Sequence, residues 1–231
     1  MGQLNRPVLP DIPGVDSFAG QWCHSAAWDD SINCRGKKVV VVGSGASAFQ
    51  LVPTIAGDVG QLTVFQRSAP WMFENPIYHE EVPQGKKWCL QNLPFYTRWF
   101  RFLIFWPACD GAYDTVFVDP EWPHQERSIN EMNDFVYQMF LDHIKGQVGD
   151  DEELLKKVTP DYAPMGKRTL QDNGSWLSAL KRDNVDLVTQ GVASVSAGGV
   201  TASDGTFYPA DIVIYATGFE TDKFLWPMEI K

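Results

Sequence analysis

The sequence has 231 residues, of which 44% are hydrophobic and 21% charged, and its formal net charge is −10 at pH 7. These values are typical of a soluble globular protein with one or two domains and enough apolar residues for a sizeable core. Because nucleic acids are bound by a surplus of Lys and Arg, the net negative charge argues against a nucleic-acid binder. A negatively charged cofactor would then need a local basic site.

The N-terminal segment contains Pro7, Pro10 and Pro13 and has no apolar core of the kind that signal peptides carry. It is therefore predicted to be an extended connector of a cytoplasmic protein. The cysteines are far apart and no His lies near them at metal-ligand spacing, which predicts reduced thiols and no metal site. These cysteines are Cys23, Cys34, Cys89 and Cys109.

The first regular pattern is a β-α-β unit. Lys38–Val42 is a continuous β-branched run, which predicts a strand buried on both faces of a parallel sheet. A glycine-rich turn and an apolar periodic segment, Phe49–Ala56, follow it, and Leu62–Gln66 predicts the second strand. The fold class is therefore α/β, with a Rossmann-like domain built on a parallel sheet.

The glycine-rich turn is the most specific local motif. In G-x-G-x-x-A, Gly43 permits the tight turn, Gly45 lets the backbone approach a pyrophosphate, and Ala48 allows the helix to pack closely on the strand. The N-terminus of the following helix would supply amide hydrogens to the diphosphate. The alternative is a turn that only connects strand and helix. The predicted cofactor-binding turn comprises Gly43, Ser44, Gly45, Ala46, Ser47 and Ala48.

The identity of the dinucleotide depends on the residue after the second strand. NAD-binding domains place an acidic residue there to accept a hydrogen bond from the ribose, whereas this chain has Arg67. A guanidinium can bind a 2′-phosphate through two hydrogen bonds, so Arg67 favours NADP over NAD. The alternative is a solvated surface arginine.

Residues 75–160 lack strand patterns, and Ile129–Lys145 and Asp151–Val158 have helical periodicity, which predicts a helical insertion. The aromatic-rich stretch Leu93–Ala108 is too short to span a membrane and is interrupted by arginines. We expect a helix buried against other helices. A wall facing the substrate and a contact with a membrane surface are the alternatives.

Short strands are predicted again after the insertion. The candidates are Val185–Val188, Ala193–Ser196, Val200–Ala202 and Asp211–Ala216, with Asp204-Gly205 as a hairpin turn. Before them, in a loop, lies the basic pair Lys167-Arg168. By itself such a pair is most often solvated charge.

A second motif has five specified residues at fixed spacing: Phe18, Gly20, His24, Trp28 and Asp29. They match the fingerprint F-x-G-x-x-x-H-x-x-x-W-[P/D], and the chain therefore resembles the type I flavin-dependent Baeyer–Villiger monooxygenases. Flavin monooxygenases that oxygenate amines or sulfides typically carry Phe or Tyr where this chain has Trp28. Further segments that resemble the family are Gly2–Gly14, Gly43–Trp71, Pro160–Leu170 and Ala210–Phe219.

The resemblance implies an enzyme in which NADPH reduces FAD and the reduced flavin uses O2 to convert a ketone into an ester or lactone. It gives Arg168 a catalytic role, in which a fixed guanidinium reaches the flavin and offsets developing negative charge. It also implies that Lys167 joins Arg67 in holding the 2′-phosphate. For His24 and Trp28 it implies a structural or conformational role. Within the family, the chain is most similar to the branch that acts on 4-hydroxyacetophenone.

The resemblance also implies a domain division: a connector (1–36), an NADP-binding domain in two parts (37–74 and 161–215), the helical insertion (75–160), and the start of a return into an FAD domain (216–231). The N-terminal FAD-binding unit of the family has no counterpart before Gly43. We therefore expect a partial polypeptide that by itself binds NADP(H) weakly and oxygenates nothing. Two alternatives remain: an amine- or sulfide-oxygenating flavin monooxygenase, and a freestanding NADP-binding module.

Overall fold

The computed structural model describes residues 2, 4–78, 80–223, 225, 227 and 228. The chain forms two compact units. The sheet unit comprises Met1–Ala69 and Ser175–Lys231, and the helical unit comprises Pro70–Gly174. Of the predicted segments 1–36 and 216–231, residues 1, 3, 224, 226 and 229–231 lie outside the described residues.

The regular elements follow in chain order. The strands are β1 (Gln21–His24), β2 (Lys38–Val42), β3 (Gln61–Phe65), β4 (Met72–Glu74), β5 (Leu170–Asp172), β6 (Val185–Val188), β7 (Val192–Ser196), β8 (Gly199–Ala202), β9 (Phe207–Pro209) and β10 (Ile212–Tyr215). The α-helices are α1 (Ala46–Ile55), α2 (Gln84–Asn92), α3 (Tyr96–Ala108), α4 (Glu131–Val148), α5 (Glu152–Val158) and α6 (Ser175–Leu180). Two 3₁₀ segments are Val15–Ser17 and Asp110–Val116.

A five-stranded sheet forms the centre of the sheet unit. Its strands are all parallel and lie in the order β1-β10-β2-β3-β6. The middle residues of β2, Val39, Val40 and Val41, are fully buried, as the unbroken β-branched run predicts. The predicted α/β fold with a parallel sheet is therefore confirmed, and the strand bounds differ from the predicted ones by at most one residue at each end.

Strand β1 lies inside the segment 1–36, which the sequence predicted to be a connector. It pairs in parallel with β10, from Gln21 opposite Ile212 to His24 opposite Tyr215. The sequence pattern missed it because the strand has only four residues and an exposed first half. The fingerprint residues Phe18 to His24 thus belong to the sheet unit and extend its parallel sheet.

A small antiparallel sheet, β7-β8-β9, packs within the same unit. The predicted turn at Asp204-Gly205 joins β8 to β9, and the Thr206 N–H is held by the Asp204 carboxylate at 2.9 Å. Side chains of this sheet, among them Val195 and Val200, share a core cluster with Val40 and Val213 of the parallel sheet. The strands that follow the helical unit in sequence therefore belong to the sheet unit and complete its fold.

The helical unit contains the predicted helices. Asn130 and Asp151 cap α4 and α5, since each side chain accepts a hydrogen bond from a first-turn amide. The unit begins at Pro70 and ends at Gly174, whereas the predicted insertion spans 75–160. The bounds differ because β4 and β5 pair with each other and form a two-stranded parallel sheet. No described helix is long and apolar enough to cross a bilayer.

Helix α3 differs from its prediction. The stretch Leu93–Ala108 was expected to be buried against other helices, but α3 has no buried residue. Large apolar side chains such as Trp99 and Phe105 are 61% and 64% exposed. The prediction was wrong because composition reports how apolar a helix is but not whether a neighbour covers it.

Candidate functional site

The glycine-rich turn lies at the carboxyl edge of the parallel sheet, between β2 and α1. Gly43 has a φ of 116°, a conformation that L side chains rarely adopt. A Cβ at this position would lie 2.5 Å from the carbonyl oxygen of Ala216, which follows β10. Glycine is therefore required here by the close approach of two neighbouring strands.

Gly45 is different, because no described atom lies within 4 Å of the Cβ that a side chain would add there. Its φ of −74° is open to any residue, and the residue is exposed. The fold therefore gives no reason for glycine at this position. What its missing side chain provides is open space in front of the first turn of α1.

That first turn has the features of an anion-binding helix N-terminus. Gly45 caps α1 without a side-chain hydrogen bond, and no acidic residue lies in the first turn. The leading N–H groups of a helix have no intrahelical partner and carry the positive end of the helix dipole. Ala48 is fully buried, while Ala46 and Ser47 are partly exposed. The turn can therefore present amide hydrogens to an anionic ligand.

Arg67 lies at the same edge of the sheet. β3 pairs in parallel with β2 through Phe65 opposite Val42, so the residues after both strands leave the sheet together. The Ser44 hydroxyl donates to the carbonyl oxygen of Ser68 at 3.1 Å and ties the turn to the loop of Arg67. Arg67 is exposed, and the described residues offer its side chain no ion-pair partner. Its guanidinium is thus available to a ligand of the turn.

Lys167 and Arg168 lie in the helical unit, on a segment that we call the basic loop (residues 160–169). Both side chains are exposed. The Lys167 ammonium lies 4.1 Å from the centroid of the Tyr162 ring, within reach of a cation–π interaction. Tyr162 is partly buried, and this burial raises the pKa of its hydroxyl. The cation therefore rests on a neutral aromatic ring.

Two buried side chains hold the backbone of the basic loop. The indole Nε1 of Trp71, which is 1% exposed, donates to the carbonyl oxygen of Tyr162 at 2.7 Å. The amide of Asn133, which is fully buried, donates to the carbonyl oxygens of Pro164 at 2.9 Å and Thr115 at 3.0 Å. Buried donors of this kind fix a loop that lacks secondary structure of its own.

A further buried cluster holds β5, the strand that follows the basic loop. Asp172 is fully buried, and its Oδ2 lies 2.9 Å from the His143 Nε2 and 2.7 Å from the Gln147 amide, both on α4. The backbone N–H of Gly174 donates to the other carboxylate oxygen. No sequence motif pointed to Trp71, Asn133 or Asp172. The one feature of the sequence that could have indicated these residues is the polar side chain of Asn133 in the first turn of α4.

The first half of the fingerprint is built into the sheet. Phe18 packs in the core cluster with Val213 and Tyr215. A Cβ at Gly20 would lie 2.4 Å from the carbonyl oxygen of Asp211, so the chain passes too close to β10 for any larger residue. These two positions therefore have structural explanations that do not involve a ligand.

His24 ends β1 and is 4% exposed. Its Nδ1 accepts the backbone N–H of Ala26 at 3.1 Å, and its ring lies edge-on against Phe219, with centroids 5.7 Å apart. Burial lowers the pKa of the imidazole, while a hydrogen bond from the ring to the backbone of Gly218 opposes this shift. Burial thus favours the neutral form of the ring, and the structural role of His24 stays a prediction.

The second half of the fingerprint is exposed. Trp28 is 41% exposed, and Asp29 lies on the surface. The Asp29 carboxylate accepts the backbone N–H of Ser31 at 2.8 Å, and the hydrogen bonds from Ser31 lower its pKa. Asp29 therefore shapes the turn after β1, whereas nothing within the described residues explains the choice of Trp28. No cluster of side chains suited to a metal ion occurs in the described part of the chain.

Comparison with known proteins gives the family context of this geometry. Residues 1–87 match the family described as flavin-binding monooxygenase-like. The whole chain is 36% identical to uncharacterized monooxygenase y4iD of Sinorhizobium fredii and covers 35% of that protein. It is 34% identical, over 94% of its length, to a Baeyer–Villiger monooxygenase of Streptomyces coelicolor, of which it covers 39%. The chain thus spans about two fifths of the curated relatives that it matches.

Solved structures agree with the sequence relatives. The chain superposes on the oxidized steroid monooxygenase bound to NADP with a TM-score of 0.75 at 25% identity, covering 94% of this chain and 46% of that one. It superposes on OTEMO in complex with FAD and NADP with a TM-score of 0.74 at 25% identity, covering 95% of this chain and 46% of that one. By sequence and by fold, the chain is therefore similar to the flavin-binding monooxygenases, Baeyer–Villiger monooxygenases among them.

Proposed function

We propose that this chain is the NADP-binding portion of an FAD- and NADPH-dependent monooxygenase that inserts one oxygen atom of O2 into a ketone. The observation that carries the proposal is the open N-terminus of α1, which no side chain caps by a hydrogen bond, with Arg67 at the same sheet edge. The NADP- and FAD-bound structures that share the fold support it. Because the chain spans about two fifths of its relatives, the reaction is proposed for the whole protein, and the 231 residues alone are proposed to oxygenate nothing.

The residues of the sheet edge fit NADP(H) chemically. The diphosphate would be held by the first-turn amides of α1, where Gly45 leaves room for it. The 2′-phosphate would be held by Arg67, which no acidic side chain neutralises among the described residues. When bound, NADPH supplies a hydride. The task of these residues is to bind and orient it.

The family pattern extends the proposal to the basic loop. Lys167 is assigned to the 2′-phosphate, and Arg168 to negative charge that develops as oxygen is transferred to the ketone. Arg168 can offset such charge without reorganisation if its backbone is fixed in advance. The buried donors Trp71 and Asn133 provide that fixation within the helical unit. We also propose that, within the Baeyer–Villiger monooxygenases, the whole protein belongs to the branch that acts on 4-hydroxyacetophenone.

The cofactor part is tested by titrating the chain with NADPH and with NADH. We expect Arg67→Ala to weaken NADPH binding by roughly 10- to 100-fold and to change NADH binding little, since a hydrogen-bonded charge pair contributes about 1.5–3 kcal/mol. Arg35→Ala is the control, because Arg35 pairs with Asp58 and precedes β2 at the opposite edge of the sheet. Equal loss for both cofactors, or none, would remove Arg67 from the site.

Gly45→Ala separates cofactor binding from folding. A methyl group at Gly45 meets no described atom, so the free energy of unfolding should change by less than about 1 kcal/mol. The same methyl group would occupy the space assigned to the diphosphate, and NADPH binding should fall by about tenfold or more. Calorimetric titration and urea unfolding measure the two quantities. Unchanged NADPH affinity in this variant would reject the turn as the binding site.

The reaction itself is tested on the whole protein. It is incubated with NADPH, FAD and oxygen and with an aryl ketone, a cyclic ketone or a thioether as substrate. Ester or lactone formation that Arg168→Ala abolishes, with NADPH affinity retained, supports the proposal. Sulfoxide formation without ester would favour the amine- and sulfide-oxygenating alternative. NADPH binding without any oxygenation would favour a freestanding NADP-binding module.

A further inference from the structure

An apolar face is exposed on α3 in the helical unit. Trp99, Phe102, Leu103 and Trp106 are spaced as i, i+3, i+4 and i+7, so they lie on one side of the helix. Their exposed fractions run from 44% to 61%. The ring of Phe102 stacks on that of Trp99, with centroids 5.4 Å apart, and lies tilted against that of Trp106 at 5.6 Å, which makes the face a continuous aromatic surface.

The apolar surface extends beyond this stripe. Ile104 and Phe105 on α3, Phe95 at its N-terminus and Trp88 on α2 are each more than half exposed. Scattered apolar residues are normal on a protein surface, but a continuous aromatic stripe such as that of Trp99, Phe102 and Trp106 marks a contact with a partner or a membrane. We call the stripe of Trp99, Phe102, Leu103 and Trp106 the aromatic face.

Charge is segregated on the same segment. Residues 84–109 contain four basic side chains and no Asp or Glu, whereas the other residues carry 15 Lys and Arg against 29 Asp and Glu. Lys86 lies 4.2 Å from the centroid of the Phe100 ring, and Lys87 reaches Glu81, just outside the segment, at 4.0 Å. Arg98 and Arg101 are exposed, and the described residues offer them no ion-pair partner. A negatively charged protein thus presents cations beside its aromatic face.

We propose that the aromatic face binds the surface of a bilayer that contains anionic lipids. A helix of 13 residues is about 20 Å long, too short for a hydrocarbon core of about 30 Å, so α3 would lie in the plane of the interface. Aromatic and aliphatic side chains would enter the headgroup boundary, and Arg98 and Arg101 would reach lipid phosphates. This binding is independent of the function proposed above.

The same charges argue against a second copy of the chain as the occupant. In a symmetric dimer, the aromatic face of one chain would meet the same face of the other. The exposed arginines would then be brought together without an acidic partner on the segment, which disfavours association. An anionic lipid surface instead supplies the opposite charge.

The test is cosedimentation of the 231-residue chain with vesicles of phosphatidylcholine alone and of phosphatidylcholine mixed with an equal part of phosphatidylglycerol. We expect binding to the mixed vesicles, weakened by added salt, with a blue shift of tryptophan emission. Arg98→Gln with Arg101→Gln should weaken the binding by roughly 30-fold, because each basic residue near an anionic surface contributes about a factor of five. The matched control removes the same charge elsewhere, with Arg35→Gln and Arg182→Gln.

A second variant tests the apolar contribution. Trp99→Ser with Trp106→Ser should abolish vesicle binding and leave the thermal unfolding unchanged, because both side chains are exposed. Phe135→Ser with Met139→Ser, on the exposed face of α4, is the control and should bind as the unmodified chain does. The proposal is overturned if neither vesicle is bound, if binding survives both variants, or if ultracentrifugation shows a self-association that the Trp99 variant removes.

Discussion

The glycine-rich turn of the sheet unit and the basic loop of the helical unit both carry predicted site residues, but different forces hold them. At the sheet edge, Gly43 and Arg67 take their positions from neighbouring parallel strands in fixed register. In the basic loop, Lys167 and Arg168 take theirs from side-chain donors, Trp71 and Asn133, that reach loop carbonyls from a buried core. The first arrangement should therefore fail when the backbone is strained, and the second when one buried donor is removed.

The largest effect is expected for Gly43→Ala. The added Cβ would lie 2.5 Å from the Ala216 carbonyl oxygen in a left-handed conformation, so we expect a loss of about 3–4 kcal/mol in the free energy of unfolding. Urea unfolding measures it. Gly57→Ala is the control. No described atom lies near the Cβ that this substitution adds, so the free energy of unfolding should change by less than about 1 kcal/mol. Similar losses for both variants would contradict the close approach of β2 and β10.

The next effect is expected for Asn133→Leu in the helical unit. The change leaves the carbonyl oxygens of Thr115 and Pro164 without their buried donor, at a cost of about 2–3 kcal/mol. Amide hydrogen exchange should also accelerate in residues 160–169. Gln138→Leu, an exposed position on α4, should leave both measurements nearly unchanged. Unaltered exchange in the Asn133 variant would mean that the loop is held by other contacts.

A smaller effect is expected for Trp71→Phe, which removes the indole N–H and keeps an aromatic ring. We expect a loss of about 1–2 kcal/mol beyond that of Trp176→Phe, because the Trp71 indole donates to Tyr162 whereas the buried Trp176 indole nitrogen has no acceptor among the described residues. Comparing the two variants by urea unfolding isolates the hydrogen bond from the change in ring size. Equal losses would show that the bond to Tyr162 contributes nothing.

The smallest effect concerns pH and returns to the sheet unit. Burial lowers the pKa of His24 below 6.5, so the unfolded chain binds a proton where the folded chain does not. The stability contributed by neutral His24 is therefore present above pH 6.5 and is lost as the pH falls through 6.5 toward the lower pKa of the folded state. His24→Leu should reduce the slope of stability against pH in that range. An unchanged slope would place the titrating group elsewhere.

Local patterns predicted the sheet edge well. An unbroken β-branched run implies a buried parallel strand, and glycines at fixed spacing imply a turn into a helix, because both follow from the conformational limits of single residues. Arg67 could be placed because it follows a strand whose end is visible in the pattern. The roles of Arg67, Lys167 and Arg168 stay predictions, since they depend on a ligand.

The sequence by itself determined the α/β class, the parallel strands and the turn between β2 and α1, because these depend on residues that are close together in the chain. Only the tertiary structure decided that β1 joins the sheet, that Gly20 and Gly43 pass close to β10, and that a Cβ added at Gly45 would meet no described atom. It also decided that α3 stays exposed and that Trp71 and Asn133 reach a loop about 30 to 90 residues away. Such contacts join segments far apart in sequence, and no local periodicity records them.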